Sequence, residues 1–278
     1  MRWLQIARKD FADARRNRQL YYLVGIFGVI GLGVGYFMGQ NAEFVSPGDV
    51  AFLLLNGFAF FAPIAALTIS QADIVGKRTT GELSVLLSLP FSRLSIVSGS
   101  FLGRVALLTV MLAVPFLIGP VLAAAMGAQL GVGDLLGAYL LVWVLGVVFT
   151  GIAIGISTLT RSTTIAAGGS FGVFLLFVFQ VWALIPWGVR FILNGFSMPT
   201  GPQPEWAAAF VQLSPYTALR NAAHPFLSDL LSEFPLALGS VAASPPWYQG
   251  SSFAGIVVLA WVFLPMVLGY YRFRTTDL

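Results

Sequence analysis

Six stretches of this chain run for about twenty residues or more without a charged side chain, which makes a water-soluble fold untenable. A bilayer core about 30 Å thick needs about 20 apolar residues in a helix rising 1.5 Å per residue. The gap from Arg18 to Glu43 predicts a span over Leu20–Gly39, and that from Asp49 to Asp73 a span over Val50–Ser70. A third lies in the gap from Arg104 to Asp134 and begins nearer Ile96. The remaining three are predicted over Leu135–Leu159, Thr163–Trp187 and Phe253–Tyr271. Only 9% of the 278 residues are charged and 58% are hydrophobic, against about 25% charged in a soluble domain. That balance excludes an ordinary soluble enzyme, a disordered chain and a nucleic-acid binder. The runs lack the two-residue alternation of a membrane barrel. The expected fold class is an all-α membrane protein with six transmembrane helices, organised as a single domain over residues 1–278.

The basic residues segregate across these spans. With six crossings, both termini share a side with Arg2, Arg8, Lys9, Arg15, Arg16, Arg18, Lys77, Arg78, Arg93, Arg104, Arg161, Arg272 and Arg274, while the opposite side has only Arg190 and Arg220. Positive charge is retained on the cytoplasmic side, so both termini are expected in the cytoplasm and the chain in the plasma membrane. Glu43, Asp49, Asp134, Glu205, Asp229 and Glu233 fall outside.

Residues 1–19 lack a convincing cleavage site for a signal peptide. Trp3, Leu4, Ala7, Phe11 and Ala14 recur at helical spacing, with Arg8, Lys9, Asp13, Arg15 and Arg16 on other faces. This predicts an amphipathic helix in the membrane interface; the plainer alternative is a charged topogenic tail. The cytoplasmic loop 72–95 is the more informative segment. Thr79 and Glu82 have the S/T-x-x-E spacing of a helix capping box, and Leu83, Leu86 and Leu87 follow on one face. Pro90 stops that helix and Ser92 is placed to cap the next. The result is a short helix flanked by Lys77, Arg78 and Arg93. It suits either a docking surface for a cytoplasmic partner or a simple anchor. The opposite-side insert, 188–252, holds eight of the 15 prolines, and Ser214-Pro215 reads as a helix start.

The run Arg78-x-x-Gly81-Glu82-Leu83-x-x-Leu86-Leu87-x-x-Pro90-Phe91-Ser92-Arg93 resembles the cytoplasmic loop of ABC transporter permeases of the type-2 exporter class. Glu82 departs from the small residue usual after that glycine. The layout is also similar: a basic elbow helix at 1–19, six spans, and a larger insert before the last. Within the class it resembles most the permeases grouped with the nitrous-oxide-reductase maturation exporter. The resemblance implies that 72–95 is a coupling loop, with Arg78, Thr79, Gly81, Glu82, Leu83, Leu86, Leu87, Pro90 and Arg93 meeting an ABC ATP-binding subunit. It also implies a second permease copy, identical or not, and short helices of the insert dipping into the outer leaflet. ATP with Mg²⁺ would sit on the partner subunit.

Other chemistry is missing from the chain. There is no G-x-x-x-x-G-K-[ST] loop to cradle ATP, and the absence of cysteine excludes disulfides and thiolate ligands. His224 is the only histidine, so neither a zinc site nor a catalytic residue is expected. Gly168-Gly169-Ser170-Phe171-Gly172 falls short of a serine-hydrolase elbow. Gly31, Gly35 and Gly39 at four-residue spacing predict close helix packing. No acid or base lies near the midplane of any span, which argues against an ion-coupled carrier. Asp73 and Arg104 are placed to pair across spans two and three. Asn56 is the candidate pathway residue, although interhelical hydrogen bonding explains such polar groups equally well. The non-transport alternative is a membrane anchor or assembly factor.

Overall fold

The computed structural model describes residues 2–16, 18–231 and 246–275. Its helices are α1 (Arg2–Arg16), α2 (Arg18–Gln40), α3 (Asp49–Ser70), α4 (Asp73–Thr79), α5 (Glu82–Ser88), α6 (Arg93–Ala125), α7 (Val132–Leu159), α8 (Thr163–Val178), α9 (Val181–Leu193), α10 (Glu205–Gln212), α11 (Pro215–Ala223), α12 (Ser228–Leu231) and α13 (Ser251–Arg274). No strand occurs among the described residues. Part of the 188–252 insert, residues 232–245, lies outside them.

Five helices are long and apolar enough to cross a membrane: α2, α3 continued by α4, α6, α7 and α13. The spans expected from the sequence match α2, α3, α7 and α13 to within about three residues at each end, and α4 carries the second on to Thr79. α6 is the longest at 33 residues, about 50 Å at 1.5 Å per residue. That exceeds the hydrocarbon thickness, so its first turns extend past the boundary. Arg104 therefore sits inside the helix, as a span beginning nearer Ile96 requires.

The fifth expected span, Thr163–Trp187, is not one straight helix. α8 and α9 are bent by 74° at a short break, where Gln180 adopts a left-handed backbone (φ 60°). With 16 residues, α8 is about 24 Å long and too short to cross alone. The described residues thus give five spans, or six if this bent pair counts as one.

α7 is the hub of the bundle, packed against α3, α6 and α13. α2 lies along α6. There the glycine triplet does what its spacing predicts: a Cβ on Gly31 would fall 2.6 Å from Pro115 Cα, one on Gly39 2.6 Å from Met126 Cβ, and one on Gly35 would overlap the Gly119 backbone. Lipid offers no hydrophobic drive between helices, so close backbone approach supplies the attraction.

At the end opposite the chain's two termini, here called the loop end, α10 and α11 enter the bundle. Ala59 lies about ten residues into α3 and Trp261 about ten into α13, each about 15 Å below the loop end. Tyr216 donates a hydrogen bond to the Ala59 carbonyl (2.9 Å). The C-terminal carbonyls of α10 have no partner within the helix; Trp182 donates to Phe210 O (3.0 Å) and Trp261 to Leu213 O (2.7 Å). Irregular backbone is tolerated at that depth only when satisfied this way. Ser214 and Pro215 begin α11 as the sequence predicts. Arg220, read from sequence as a residue of an outer loop, is instead buried, donating to Asn221 Oδ1 (3.1 Å), while Asn221 Nδ2 donates to Gln212 Oε1 (2.8 Å).

Candidate functional site

The opposite, basic end gathers α1, α4, α5, the start of α6 and the last turns of α7 and α13. α4 continues the direction of α3 after a turn at Gln71–Ala72. Its free N-terminal amides are capped by another helix: Ser157 Oγ of α7 accepts from the amides of Ile74 and Val75, both at 3.1 Å. This cap pins α4 to the bundle at its first turn.

The capping box read into Thr79 and Glu82 does not form. Thr79 is the last residue of α4 and its hydroxyl bonds back to Gly76 O (3.0 Å). Gly81 takes a left-handed conformation (φ 77°) that reverses the chain between α4 and α5. Only glycine adopts that geometry without strain, so the turn residue sits where the box would have continued the helix. Ser92 does cap the next helix, accepting from the Ser95 amide (3.1 Å).

α5 is seated by Leu83 and Leu86, both buried, and by the partly buried Leu87. Its other face exposes Ser84, Val85, Ser88 and Leu89, followed by exposed Pro90. Val85 and Leu89 are apolar residues facing outward, and the sequence reading did not single them out. Glu82 reaches back to α1 and pairs with Lys9 at 2.5 Å, both half-exposed. Lys9 also pairs with Asp13 (3.1 Å). Burial lowers the Lys9 pKa, but hydrogen bonds and charge from Glu82 and Asp13 outweigh that, so it stands above the ordinary lysine value.

Three further charges of the site, Asp10, Asp73 and Lys77, are buried, and Arg104 is partly so. Lys77, expected to flank α5 at the surface, is only 7% exposed. Its ammonium donates to Asp10 (2.6 Å), Asp73 (3.2 Å) and Ser100 (2.7 Å). Ser100 also donates to Asp10 (2.9 Å), and Arg104 pairs with Asp73. Two carboxylates and two cations thus make a formally neutral cluster joining α1, α4 and α6. The Asp73–Arg104 pair was legible in the sequence; Asp10 and Lys77 were not. The buried face of α1 is Ile6, Ala7 and Asp10, whereas Leu4 is exposed. Gly99 and Gly103 of α6 admit this face closely, with Ile6 Cβ 2.7 Å from a Cβ built on Gly99. α1 is therefore packed on α6 as well as amphipathic.

Arg78 and Arg93 turn onto the chain itself. Arg78 donates to Thr160 O (2.8 Å) and Arg93 to Phe273 O. Their guanidiniums approach the Phe273 ring at 5.5 and 5.1 Å. Asn56 lies about a third of the way along α3, half-buried, with its amide bonded to Phe52 O (2.9 Å). No group of His, Cys, Asp and Glu capable of holding a metal occurs among the described residues.

A bundle of long apolar helices with an ordered, charge-latched helix pair at its basic end defines a multi-pass membrane protein. The chain belongs to the family described as ABC-2 family transporter protein, whose profile matches residues 4–278. It is similar to two curated proteins, each described as a probable ABC transporter permease protein NosY. The one from Pseudomonas aeruginosa is 31% identical over 184 residues, covering 62% of this chain and 66% of that protein, just under two thirds. The one from Stutzerimonas stutzeri is 29% identical over 286 aligned residues, covering 97% of this chain and 96% of that protein. The chain is thus an ABC transporter permease, and its family implies an ATP-binding subunit as partner.

Proposed function

We propose that this permease forms the membrane part of an exporter in the plasma membrane, with its basic end in the cytoplasm and ATP–Mg²⁺ bound on separate ATPase subunits. The observation that carries the reading is α5 itself. It is seated on the bundle by Leu83 and Leu86 and shows Val85, Leu89 and Pro90 outward beside half-exposed Glu82. A seven-residue helix that presents apolar side chains away from the core suits a socket on a partner. The 13-to-2 distribution of Lys and Arg supports a cytoplasmic location for that face. In this scheme Glu82 and the outer face of α5 meet the ATPase, while Thr79 and Gly81 set the turn that holds it. Arg78 and Arg93 hold the loop against α7 and α13 and stand at the edge of the contact. Movement of α5 passes through α4 to α3 and, through the ionic cluster, to α1 and α6.

A second permease copy completes the route, with Asn56 on the partly exposed face of α3 toward it. The cargo belongs to a class that an apolar, uncharged route accommodates, such as a lipid, a lipid-linked sugar or a small hydrophobic compound. Glu82→Lys and Leu86→Asp are expected to abolish export and release of the ATPase subunit from the complex is expected with the first, while both variants still insert in the membrane. Co-purification from membranes reads the partner, and vesicle transport reads export. Unimpaired export by both variants overturns the coupling role of α5. Failure of any ATPase subunit to co-purify with the wild type favours the anchor or assembly reading.

A further inference from the structure

A cleft at the basic end is separate from the α5 face. It lies between α4, the α7–α8 turn and the last turn of α13, with a volume of about 480 Å³. Arg78, Arg161 and Arg272 line it, and its wall is made by Ile156, Leu159 and Ile165 of α7 and α8. Ile165 is well exposed, so that wall opens sideways toward the surroundings of the bundle. Among the described residues no carboxylate lines the cleft. Arg161 and Arg272 are engaged within the chain as well, so what the cleft offers a ligand is the summed field of three cations. Arg78 adds a specific feature: its Nε is buried with no hydrogen-bond partner among the described residues. A buried donor left unmade costs free energy until something accepts from it.

Cations at the mouth above an apolar wall match one ligand chemistry, an acidic headgroup attached to acyl chains. Basic pockets between membrane helices near the cytoplasmic surface bind anionic lipid headgroups in this way. A soluble anion would use the cations and leave the apolar wall idle. An acidic protein segment would not extend along α7 and α8 into the hydrocarbon.

We propose that the cleft framed by Arg78, Arg161 and Arg272 binds a phospholipid with a net negative headgroup from the leaflet at the basic end. The headgroup phosphate lies among the three guanidiniums and an acyl chain runs along Ile156 and Ile165. Only the name of the leaflet, cytoplasmic, rests on the orientation proposed above. Binding is a property of the single chain, so it stands or fails separately from export and from the ATPase contact.

The test uses the full-length purified chain in detergent, with lipid retention read by native mass spectrometry and the thermal midpoint read in parallel. The probes are phosphatidylglycerol, phosphatidylcholine with the same acyl chains, and inorganic phosphate. Phosphatidylglycerol is expected to be retained and to raise the midpoint, phosphatidylcholine to be displaced, and phosphate alone to do neither. Arg161→Gln and Arg272→Gln are each expected to weaken phosphatidylglycerol binding about fivefold, the factor for roughly 1 kcal/mol per basic residue near an acidic surface. Arg161→Lys keeps the charge and is expected to retain most of the binding. Arg190→Gln, at the loop end, is expected to change nothing. Should the glutamine variants elute as aggregates, the wild-type preference for phosphatidylglycerol over phosphatidylcholine and the lysine variant still decide. Equal retention of both lipids, an equal effect of inorganic phosphate, or undiminished binding in a folded Arg161→Gln/Arg272→Gln variant each overturns the proposal. So does loss of the ATPase subunit from these variants with lipid binding intact, which would assign the cleft to a protein partner.

Discussion

The two ends of the bundle are held together by different forces. At the basic end, Asp10, Asp73, Lys77 and Arg104 make a few directional contacts between buried charges. At the loop end, cohesion is aromatic. Trp182 stacks on Phe210 with centroids 4.4 Å apart, Phe177 meets Trp261 edge-on at 5.0 Å, and Trp247 meets Phe253 at 5.1 Å. Buried ion pairs tolerate little displacement, because each charge was desolvated to make them. Aromatic contacts accept a range of offsets and angles at small cost. The basic end is thus built to move as a unit, α1 with α4 and α6, and the loop end to rearrange internally. That division suits a permease driven from one end whose route opens at the other.

The sharpest test of this contrast is Lys77→Met. It takes the ammonium from both carboxylates, leaving Asp10 buried beside Ser100 and Asp73 paired with Arg104. Removing one member of a buried ionic group costs about 3–5 kcal/mol. A loss of that size is expected in denaturant titrations in mixed micelles. Asp10→Asn in the same chain is expected to restore most of it, since the orphaned charge and not the missing contact dominates. If Lys77→Met proves milder than substitutions among the loop-end hydrogen bonds, the contrast between the ends fails.

The sequence displayed these two ends unequally, for physical reasons. Span boundaries were legible because a charge inside hydrocarbon is costly, so gaps between charges mark helix ends closely at α2, α3 and α7, and Arg272 marks the end of α13, whose start was read from the proline pair at 245–246. Asp73 and Arg104 were legible as a pair because opposite charges stood at one boundary. Asp10 and Lys77 were hidden because both lie in amphipathic segments, where the ordinary reading sends charge to the wet face. The period does place Ile6 and Asp10 four residues apart on one stripe, and the glycines Gly99 and Gly103 opposite them were the available sign of a packed partner. The break in the fifth span left no composition signal, since Gln180 is flanked by apolar residues and hydropathy has no sense of direction. Arg220 was misplaced for a related reason: proline-rich sequence reads as an outer loop, whereas Trp182, Trp261 and Tyr216 satisfy enough backbone to let it enter the bundle. The coupling role proposed for loop 72–95 was read by resemblance more than by geometry. Gly81 as a turn residue was available to inspection, yet the Thr79–Glu82 spacing offered a competing cap.

A smaller effect is expected from Tyr216→Phe at the loop end. It removes the hydrogen bond to Ala59 O, a carbonyl that has no donor four residues on because Pro63 carries no N–H, with little change in packing volume. A buried acceptor left unpaired costs about 1–3 kcal/mol, and interhelical hydrogen bonds in membranes average about 0.6 kcal/mol. A loss below about 3 kcal/mol in the same titration fits. A loss equal to that of Lys77→Met would mean that α11 is locked as rigidly as α4, and the loop end could not then be the compliant one.

The smallest effect belongs to the Lys9–Glu82 pair, and it separates two roles for Glu82. Both side chains are half-exposed, 45% and 37%, and exposed pairs contribute about 0.2–1 kcal/mol, less at high salt. Lys9→Gln is therefore expected to shift the unfolding midpoint little, and the shift to vanish in molar salt. Its value lies in transport. If Glu82 works by meeting the ATPase, Lys9→Gln leaves export near the wild-type rate although Glu82→Lys abolishes it. If instead Glu82 works by holding α5 to α1, the two substitutions fail together and the exchanged pair Lys9→Glu with Glu82→Lys recovers export. The first outcome makes α5 the point where force enters, with the buried cluster behind it as the part that carries force onward. The second moves the point of entry to α1, and the rigid unit of the basic end then begins one helix earlier.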